Sequence, residues 1–285
     1  MIARSYLYVP GNAPDKLAKV LGRGADAVIV DLEDAVPWSA KDSARATVAE
    51  WLRGLDGDTG GVEVWVRVNP GPLGVEDVAA VVAPGLRGVM VAKTESRADL
   101  DAIDDALGKA EAREQLDPGE VGVVPLLESA GALLEAQAIA AAPRVVRLQV
   151  GEADLAADLG FGDGADDADW AAIRSSIVVV SAAAGISAPV APVSTDFRDL
   201  ERFAETTRAL ARRGYVGRAC IHPAQVAVAN AVFTPSDDAV EDARALVTMF
   251  DQAVSEGRGV VVGPDGRMVD EAVVRRARSV IALAR

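Results

Sequence analysis

Residues 27–34 read Ala-Val-Ile-Val-Asp-Leu-Glu-Asp. Four apolar residues run without a polar break and then meet Asp31, Glu33 and Asp34. An unbroken apolar run suits a parallel strand buried on both faces, because a strand with one wet face alternates. The same pattern recurs outward from this stretch, with apolar runs at 5–9, 62–66, 88–92, 121–127, 145–150, 188–193 and 217–221. Amphipathic helical stretches at 14–23, 40–52, 74–82, 97–113, 129–141, 167–184 and 199–213 separate them. Eight such units predict an α/β fold, a TIM (β/α)8 barrel with its active site at the C-terminal ends of the strands. The rival is a doubly wound open sheet. Its Gly-x-Gly-x-x-Gly fingerprint is missing after the first strand, where Pro10-Gly11-Asn12 stands.

Composition narrows the function. The chain has 285 residues, half of them hydrophobic, and a net charge of −14. Such an acidic surface repels a phosphate backbone, so nucleic acid is not an expected partner. A single cysteine, Cys220, excludes an intrachain disulfide and a cysteine-based zinc site, and a single histidine, His222, excludes a multi-histidine metal site. No basic-then-apolar leader opens the sequence and no apolar run approaches a membrane span, so a cytoplasmic protein is expected. Residues 1–233 are predicted to form the barrel and 234–285 a helical extension, which serves packing alone, a lid, or an arm reaching a neighbouring subunit.

Polar residues gather where the strands end. Glu128 follows the fifth run and Asp154 lies just past the sixth. With no thiol or imidazole cluster beside them, they make an oxygen-only site. That suits Mg²⁺, which takes one or two protein carboxylates and completes its shell with water and substrate. Asp154 also reads as a cap of the helix that follows. Arg67 ends the third run, and its planar fork suits a carboxylate or an enolate oxygen. An ion pair with Asp31, Glu33 or Glu128 is an equally open reading. Arg4, Lys16, Lys19 and Arg23, with Lys41 and Arg45, form a basic cluster in an acidic chain. It fits the phosphates of a nucleotide-like ligand, or a solvated helix face.

Nine segments in order resemble the citrate lyase β-subunit family, which includes malyl-CoA and citramalyl-CoA lyases within the HpcH/HpaI aldolase group. They are residues 4–11 (Arg-Ser-Tyr-Leu-Tyr-Val-Pro-Gly), 31–36 (Asp-Leu-Glu-Asp-Ala-Val), Lys41 with Arg45, and 66–70 (Val-Arg-Val-Asn-Pro). Then come 93–96 (Lys-Thr-Glu-Ser), 125–129 (Pro-Leu-Leu-Glu-Ser), 151–160 (Gly-Glu-Ala-Asp-Leu-Ala-Ala-Asp-Leu-Gly), 221–225 (Ile-His-Pro-Ala-Gln) and 266–270 (Gly-Arg-Met-Val-Asp). The resemblance implies Mg²⁺ on Glu128 and Asp154, and the oxo-acid on Arg67. It implies a substrate and CoA path along Tyr8, Lys16, Lys19, Ala153, Ile221 and His222. Asp270 is implied as an acid/base on a C-terminal arm, placed in the site of a neighbouring subunit of a homotrimer or homohexamer.

The implied reaction is Claisen-type cleavage or formation of a β-hydroxyacyl-CoA thioester such as malyl-, citramalyl- or citryl-CoA. Asp31, Glu33 and Glu95 are expected to orient Arg67 and Lys93. The alternatives are a metal-dependent aldolase that needs no CoA, a Schiff-base aldolase using Lys93, and a catalytically silent CoA-ester-binding subunit. Lysine beside carboxylates stays protonated, which disfavours it as a nucleophile.

Overall fold

A computed structural model of the chain describes residues 2–162 and 164–284. The chain divides into two compact units, Ala3–Asn230 and a C-terminal one that begins at Ala231. In the first unit the strands are β1 (Ser5–Pro10), β2 (Ala27–Asp31), β3 (Glu63–Val68), β4 (Leu86–Val91), β5 (Gly122–Leu127), β6 (Gln149–Val150) and β7 (Arg218–Cys220). All pair in parallel, in the order β6-β5-β4-β3-β2-β1-β7. The architecture is therefore α/β and TIM-barrel-like.

The alternation of side chains along β2 explains its continuous burial. Ala27 and Ile29 join an inner cluster with Tyr6, Trp65, Met90, Val124 and Leu126. Val28 and Val30 join the outer cluster, where the sheet meets Leu17, Val48, Leu52 and Val78 of the helices. Both faces of the strand are dry, so no residue of it can be polar until its end. That end is Asp31, the point at which the site begins.

Two strands depart from expectation. The run at 188–193 is reduced to bridges, with Val190 pairing to Gln149 and Ala191 to Arg218. Pro189 and Pro192 lack the N–H groups a ladder needs, which confines regular pairing to the two residues between them. The bridges still join the two edges of the sheet. In 145–150 only Gln149 and Val150 are regular strand, with Val145 bridged to Val123. Conversely β3 runs two residues past the expected 66, so Arg67 lies within a strand.

The helices of this unit begin with α1 (Pro14–Val20), α2 (Lys41–Leu55), α3 (Gly71–Val81), α4 (Arg97–Glu114), α5 (Ala130–Leu134), α6 (Ala136–Ala140) and α7 (Glu152–Leu159). The expected helix at 129–141 is two short ones that meet at Glu135. Then follow α8 (Ala171–Ala183), α9 (Leu200–Arg213) and α10 (Pro223–Phe233).

The C-terminal unit contains α11 (Asp237–Ser255), a hairpin of β8 (Val261–Val262) and β9 (Met268–Val269), and α12 (Glu271–Leu283). Its own small core is Phe250, Ala253, Val261, Val269 and Val274. Ser236 caps α11 and Asp270 caps α12.

Candidate active site

Each functional side chain follows from where a buried strand stops. Arg67 emerges from β3 beside the end of β2, and Asp31 grips it with two parallel bonds of 2.7 and 2.6 Å. The same Asp31 carboxylate accepts the N–H groups of Glu33 and Ala35. All its hydrogen-bonding capacity goes into fixing one guanidinium and one loop. The Arg67 Nη1 lies 3.0 Å from Glu33, and its guanidinium stands 5.2 Å from the Tyr8 ring. Burial disfavours the charge on Arg67, but Asp31 and Glu33 more than offset it and hold its pKa above the ordinary arginine value.

Glu128 follows β5 and is 6 % exposed. Its Oε2 accepts the backbone N–H of Lys93 at 2.7 Å. Burial pushes its carboxyl up to about 7, the charges of Glu33 and Asp154 push the same way, and the Lys93 contact pulls against them. Gly151 is what lets Glu128 sit there. A Cβ at position 151 would lie 2.6 Å from Glu128 Cγ. Lys93 sends its ammonium to Glu33 and, at 3.3 Å, to Asp34. Burial and repulsion from Asp34 raise the Glu33 carboxyl against the pull of Lys93 and Arg67.

Asp154 lies in the first turn of α7. Arg174 of α8 anchors that turn through Glu152, with bonds of 2.6 and 2.8 Å. Residues of the first unit enclose a cavity of about 910 Å³ that brings together Tyr8, Asp31, Arg67, Glu128, Ala153 and Asp154. Lys16, Lys19 and Arg23 line its mouth, as do Ile221 and His222. The His222 ring stacks on Phe197 at 4.9 Å, and its Nδ1 accepts the Ala224 N–H.

The site fits Mg²⁺ on its donor chemistry. Asp31, Glu33, Asp34, Glu128 and Asp154 set five carboxylates against the two cations Arg67 and Lys93. Burial raises the Glu128 carboxyl first and the neighbouring carboxylates add to it, and a divalent cation would relieve that strain. Among the described residues no three His, Cys, Asp or Glu side chains converge on one ion position. A metal held by Glu128 and Asp154 therefore takes its remaining oxygens from water and substrate, the usual habit of Mg²⁺.

The basic cluster does not hold together. Arg4 is bound to Asp26, Arg45 to Asp77 at 2.7 Å, and the Lys41 ammonium to the carbonyls of Leu32 and Glu33. Arg4 and Lys41 pin loops, and Arg45 ties α2 to α3. Lys16, Lys19 and Arg23 are exposed and make no ion pair among the described residues. Glu95 also lies elsewhere than expected. It accepts the Ser129 hydroxyl at 2.7 Å and makes no hydrogen bond or ion pair to Arg67 or Lys93 among the described residues. Asp270 belongs to the C-terminal unit, where its Oδ1 accepts the N–H groups of Ala272 and Val273.

Sequence reasoning gave three residues no role. Asp34 lines the cavity and bonds Lys93, and its signal was the carboxylate that follows Asp31 and Glu33 at the end of β2. Gln149 stood inside an apolar run and was counted as core. Phe197 sits in a polar loop that offered no pattern.

Comparison with known proteins identifies the family. The HpcH/HpaI aldolase/citrate lyase family matches residues 4–223. The citrate lyase subunit beta of Leuconostoc mesenteroides subsp. cremoris is 31% identical over 99% of this chain and 93% of its own length. An L-malyl-CoA/beta-methylmalyl-CoA lyase of Cereibacter sphaeroides is 33% identical over 99% of this chain and 94% of its own. Among solved structures, protein CitE from Mycobacterium tuberculosis, in complex with magnesium, acetoacetate and coenzyme A, superposes with a TM-score of 0.74. It is 28% identical and the match covers 99% of this chain and 98% of that one. With its motifs, its parallel sheet and its full-length relatives in agreement, the chain belongs to the HpcH/HpaI aldolase/citrate lyase family.

Proposed function

We propose that this chain is a Mg²⁺-dependent carbon–carbon lyase acting on a β-hydroxyacyl-CoA thioester, with acetyl-CoA or a homologue and an oxo-acid as the other side of the reaction. One observation carries the reading. Glu128, Asp154 and a carboxylate-clamped Arg67 share a cavity with three cationic side chains that have no ion-pair partner among the described residues. The relatives named as malyl-CoA lyase and citrate lyase β subunit support it, as does a structural neighbour holding magnesium and CoA.

Glu128 and Asp154 would hold the metal, which when bound polarises the oxo-acid carbonyl as a Lewis acid. Arg67 binds the same oxo-acid and faces the charge that develops on its oxygen, a role in which one donor is worth about 3–4 kcal/mol. Asp31 keeps that guanidinium from swinging away, so little reorganisation is needed as charge builds. Tyr8 and Ala153 flank the oxo-acid. Lys16, Lys19 and Arg23 take the CoA phosphates at the mouth, and Ile221 and His222 border the path of the thioester.

In cleavage, the electron pair of the breaking C–C bond passes to the α-carbon of the thioester, and the hydroxyl oxygen becomes the oxo-acid carbonyl. Asp270 accepts the proton of that hydroxyl and returns it to the α-carbon, and in synthesis it carries the proton the other way. Its Oδ1 is occupied by the α12 cap, which leaves Oδ2 for the proton. A carboxylate is a weak base for such a proton, so the site must exclude water and stabilise the enolate. We assign residues 1–233 to a complete eight-stranded barrel, and 234–285 to an arm that delivers Asp270 to a neighbouring subunit of a homotrimer or homohexamer. A CoA ester as substrate is in keeping with a cytoplasmic protein. Product analysis with malyl-, citramalyl- and citryl-CoA tests the reading. Acetyl-CoA and an oxo-acid should appear in equal amounts, whereas equal rates on free hydroxy acids would favour an aldolase without CoA.

A further inference from the structure

A carboxamide that the fold leaves unsatisfied stands at the floor of the cavity. Gln149 lines the cavity, is 3 % exposed, and its buried Oε1 has no hydrogen-bond partner. It pairs with Leu126 in the β5–β6 register and bridges to Val190. Both neighbours belong to the apolar inner cluster, with Val193 packed against it. Buried polar groups in folded proteins are satisfied almost without exception, and an orphan calls for an explanation. A leucine of similar size would suit these surroundings without that penalty. The amide is therefore matched to a partner that is not part of the chain.

Position identifies the partner. Leu126 and Glu128 are two residues apart on one face of the chain leaving β5, a rise of about 6–7 Å. Gln149 lies opposite Leu126, so it sits one layer of side chains below the Glu128 carboxylate. The cationic side chains of α1 line the mouth, which takes the CoA moiety outward. The reacting carbons lie at the level of Glu128 and Arg67. What remains to descend is the substituent on the hydroxyl-bearing carbon, which is the side group of the oxo-acid.

We infer that Gln149 is a specificity-determining residue that hydrogen-bonds this side group, so the preferred oxo-acid carries a hydroxyl or carboxyl beyond its carbonyl carbon. The inference rests on the lyase reading and deepens it. An amide offers a donor and an acceptor whichever way it is turned, so either group can be paired. A hydrogen or a methyl leaves the amide unsatisfied. Sites built around a hydrogen bond discriminate steeply against substrates that cannot complete it.

The test is the condensation of acetyl-CoA with oxo-acids of matched size. Hydroxypyruvate and 2-oxobutyrate differ by a hydroxyl for a methyl, and oxaloacetate supplies the carboxyl arm. The Mg²⁺-loaded wild type should favour hydroxypyruvate or oxaloacetate over 2-oxobutyrate by at least about tenfold in kcat/KM. Which of the two is favoured separates the hydroxyl from the carboxyl. Gln149→Leu should lose that preference and leave or raise the rate with 2-oxobutyrate, and calorimetric binding of the same oxo-acids should shift in the same order. Gln149→Met serves if the leucine variant does not fold. A wild type that prefers 2-oxobutyrate, or a variant that keeps the wild-type ranking, would overturn the inference and leave the amide holding water alone. Absence of condensation with every oxo-acid would instead contradict the lyase reading and the inference with it.

Discussion

The backbone N–H of Lys93 donates to Glu128 Oε2 at 2.7 Å, from a residue held at φ 49°. That left-handed conformation is costly for a residue with a side chain, and it persists only where surrounding contacts impose it. Here the ammonium of Lys93 is bound to Glu33, which faces Arg67. One strained residue thus ties the proposed metal carboxylate to the proposed oxo-acid guanidinium. The two groups must be set at a fixed distance for one substrate to bridge them, and this tie sets it.

Gly151→Ala should disable the metal site while sparing the fold. Its Cβ would lie 2.6 Å from Glu128 Cγ, so the carboxylate has to move. Position 151 has φ −87°, which an alanine adopts freely. Calorimetry should show Mg²⁺ affinity reduced by about tenfold or more, with thermal unfolding of the metal-free protein changed by a few degrees at most. Unchanged affinity would mean that Glu128 is not a ligand.

Metal binding should weaken in acid. The Glu128 carboxyl is pushed up to about 7 in the folded protein, above its ordinary value of 4.5. Below that point Mg²⁺ must displace a proton, so its affinity falls by up to about tenfold per pH unit. The stability linkage has the matching sign. A group raised on folding contributes stability that is full below its unfolded pKa and is lost as pH rises through the folded one. Metal-free protein should therefore lose stability between pH 4.5 and about 7 through this group, and Mg²⁺ should raise the melting temperature more at pH 8 than at pH 6. An equal shift at both values contradicts the assignment.

The basic side chains should separate into two kinds. Replacing Lys16, Lys19 or Arg23 with alanine should weaken CoA binding several-fold each, more at low salt, with little effect on stability. Arg45→Ala should do the reverse. It leaves Asp77, which is 1 % exposed, with hydrogen bonds from Asn69 but no cation, and removing one partner of a buried pair costs about 3–5 kcal/mol. Isothermal titration with CoA beside urea unfolding reads both effects. A CoA defect in Arg45→Ala, at unchanged stability, would return that residue to the ligand site.

Asp270 should act across subunits. Asp270→Asn keeps an N-cap, so α12 should persist while turnover falls by orders of magnitude and Mg²⁺ binding is unaffected. Mixing Asp270→Asn with Arg67→Ala should restore part of the activity, because some mixed sites then contain both intact groups. No recovery after verified subunit exchange would place Asp270 on its own barrel or outside the chemistry.

Much of this was legible because burial makes polarity informative. Asp31 and Glu128 stand out in the sequence as charges at the ends of dry runs, and their strands lie where those runs do. The Asp31–Arg67 pair was one of the readings left open, and it coexists with Arg67 lining the cavity. What was not legible depended on partners distant in sequence. Lys41 and Arg45 look the same as Lys16 and Lys19 until the carbonyl of Leu32 and the carboxylate of Asp77 are brought beside them. Glu95 had the residue type and the strand end, but its hydroxyl partner comes from Ser129. Gln149 was hidden by its own run, since it and Arg147, set among Val145, Val146, Leu148 and Val150, read as noise in an apolar pattern.

The central claim is that a metal held by Glu128, and no covalent lysine, supports cleavage of the thioester. The direct measurement is turnover of a β-hydroxyacyl-CoA that the wild type cleaves, followed with EDTA, with Mg²⁺ restored, and in Glu128→Gln. Turnover should vanish with EDTA, return with Mg²⁺, and stay absent in the variant. Turnover that survives EDTA, together with borohydride inactivation trapped on Lys93, would contradict the account.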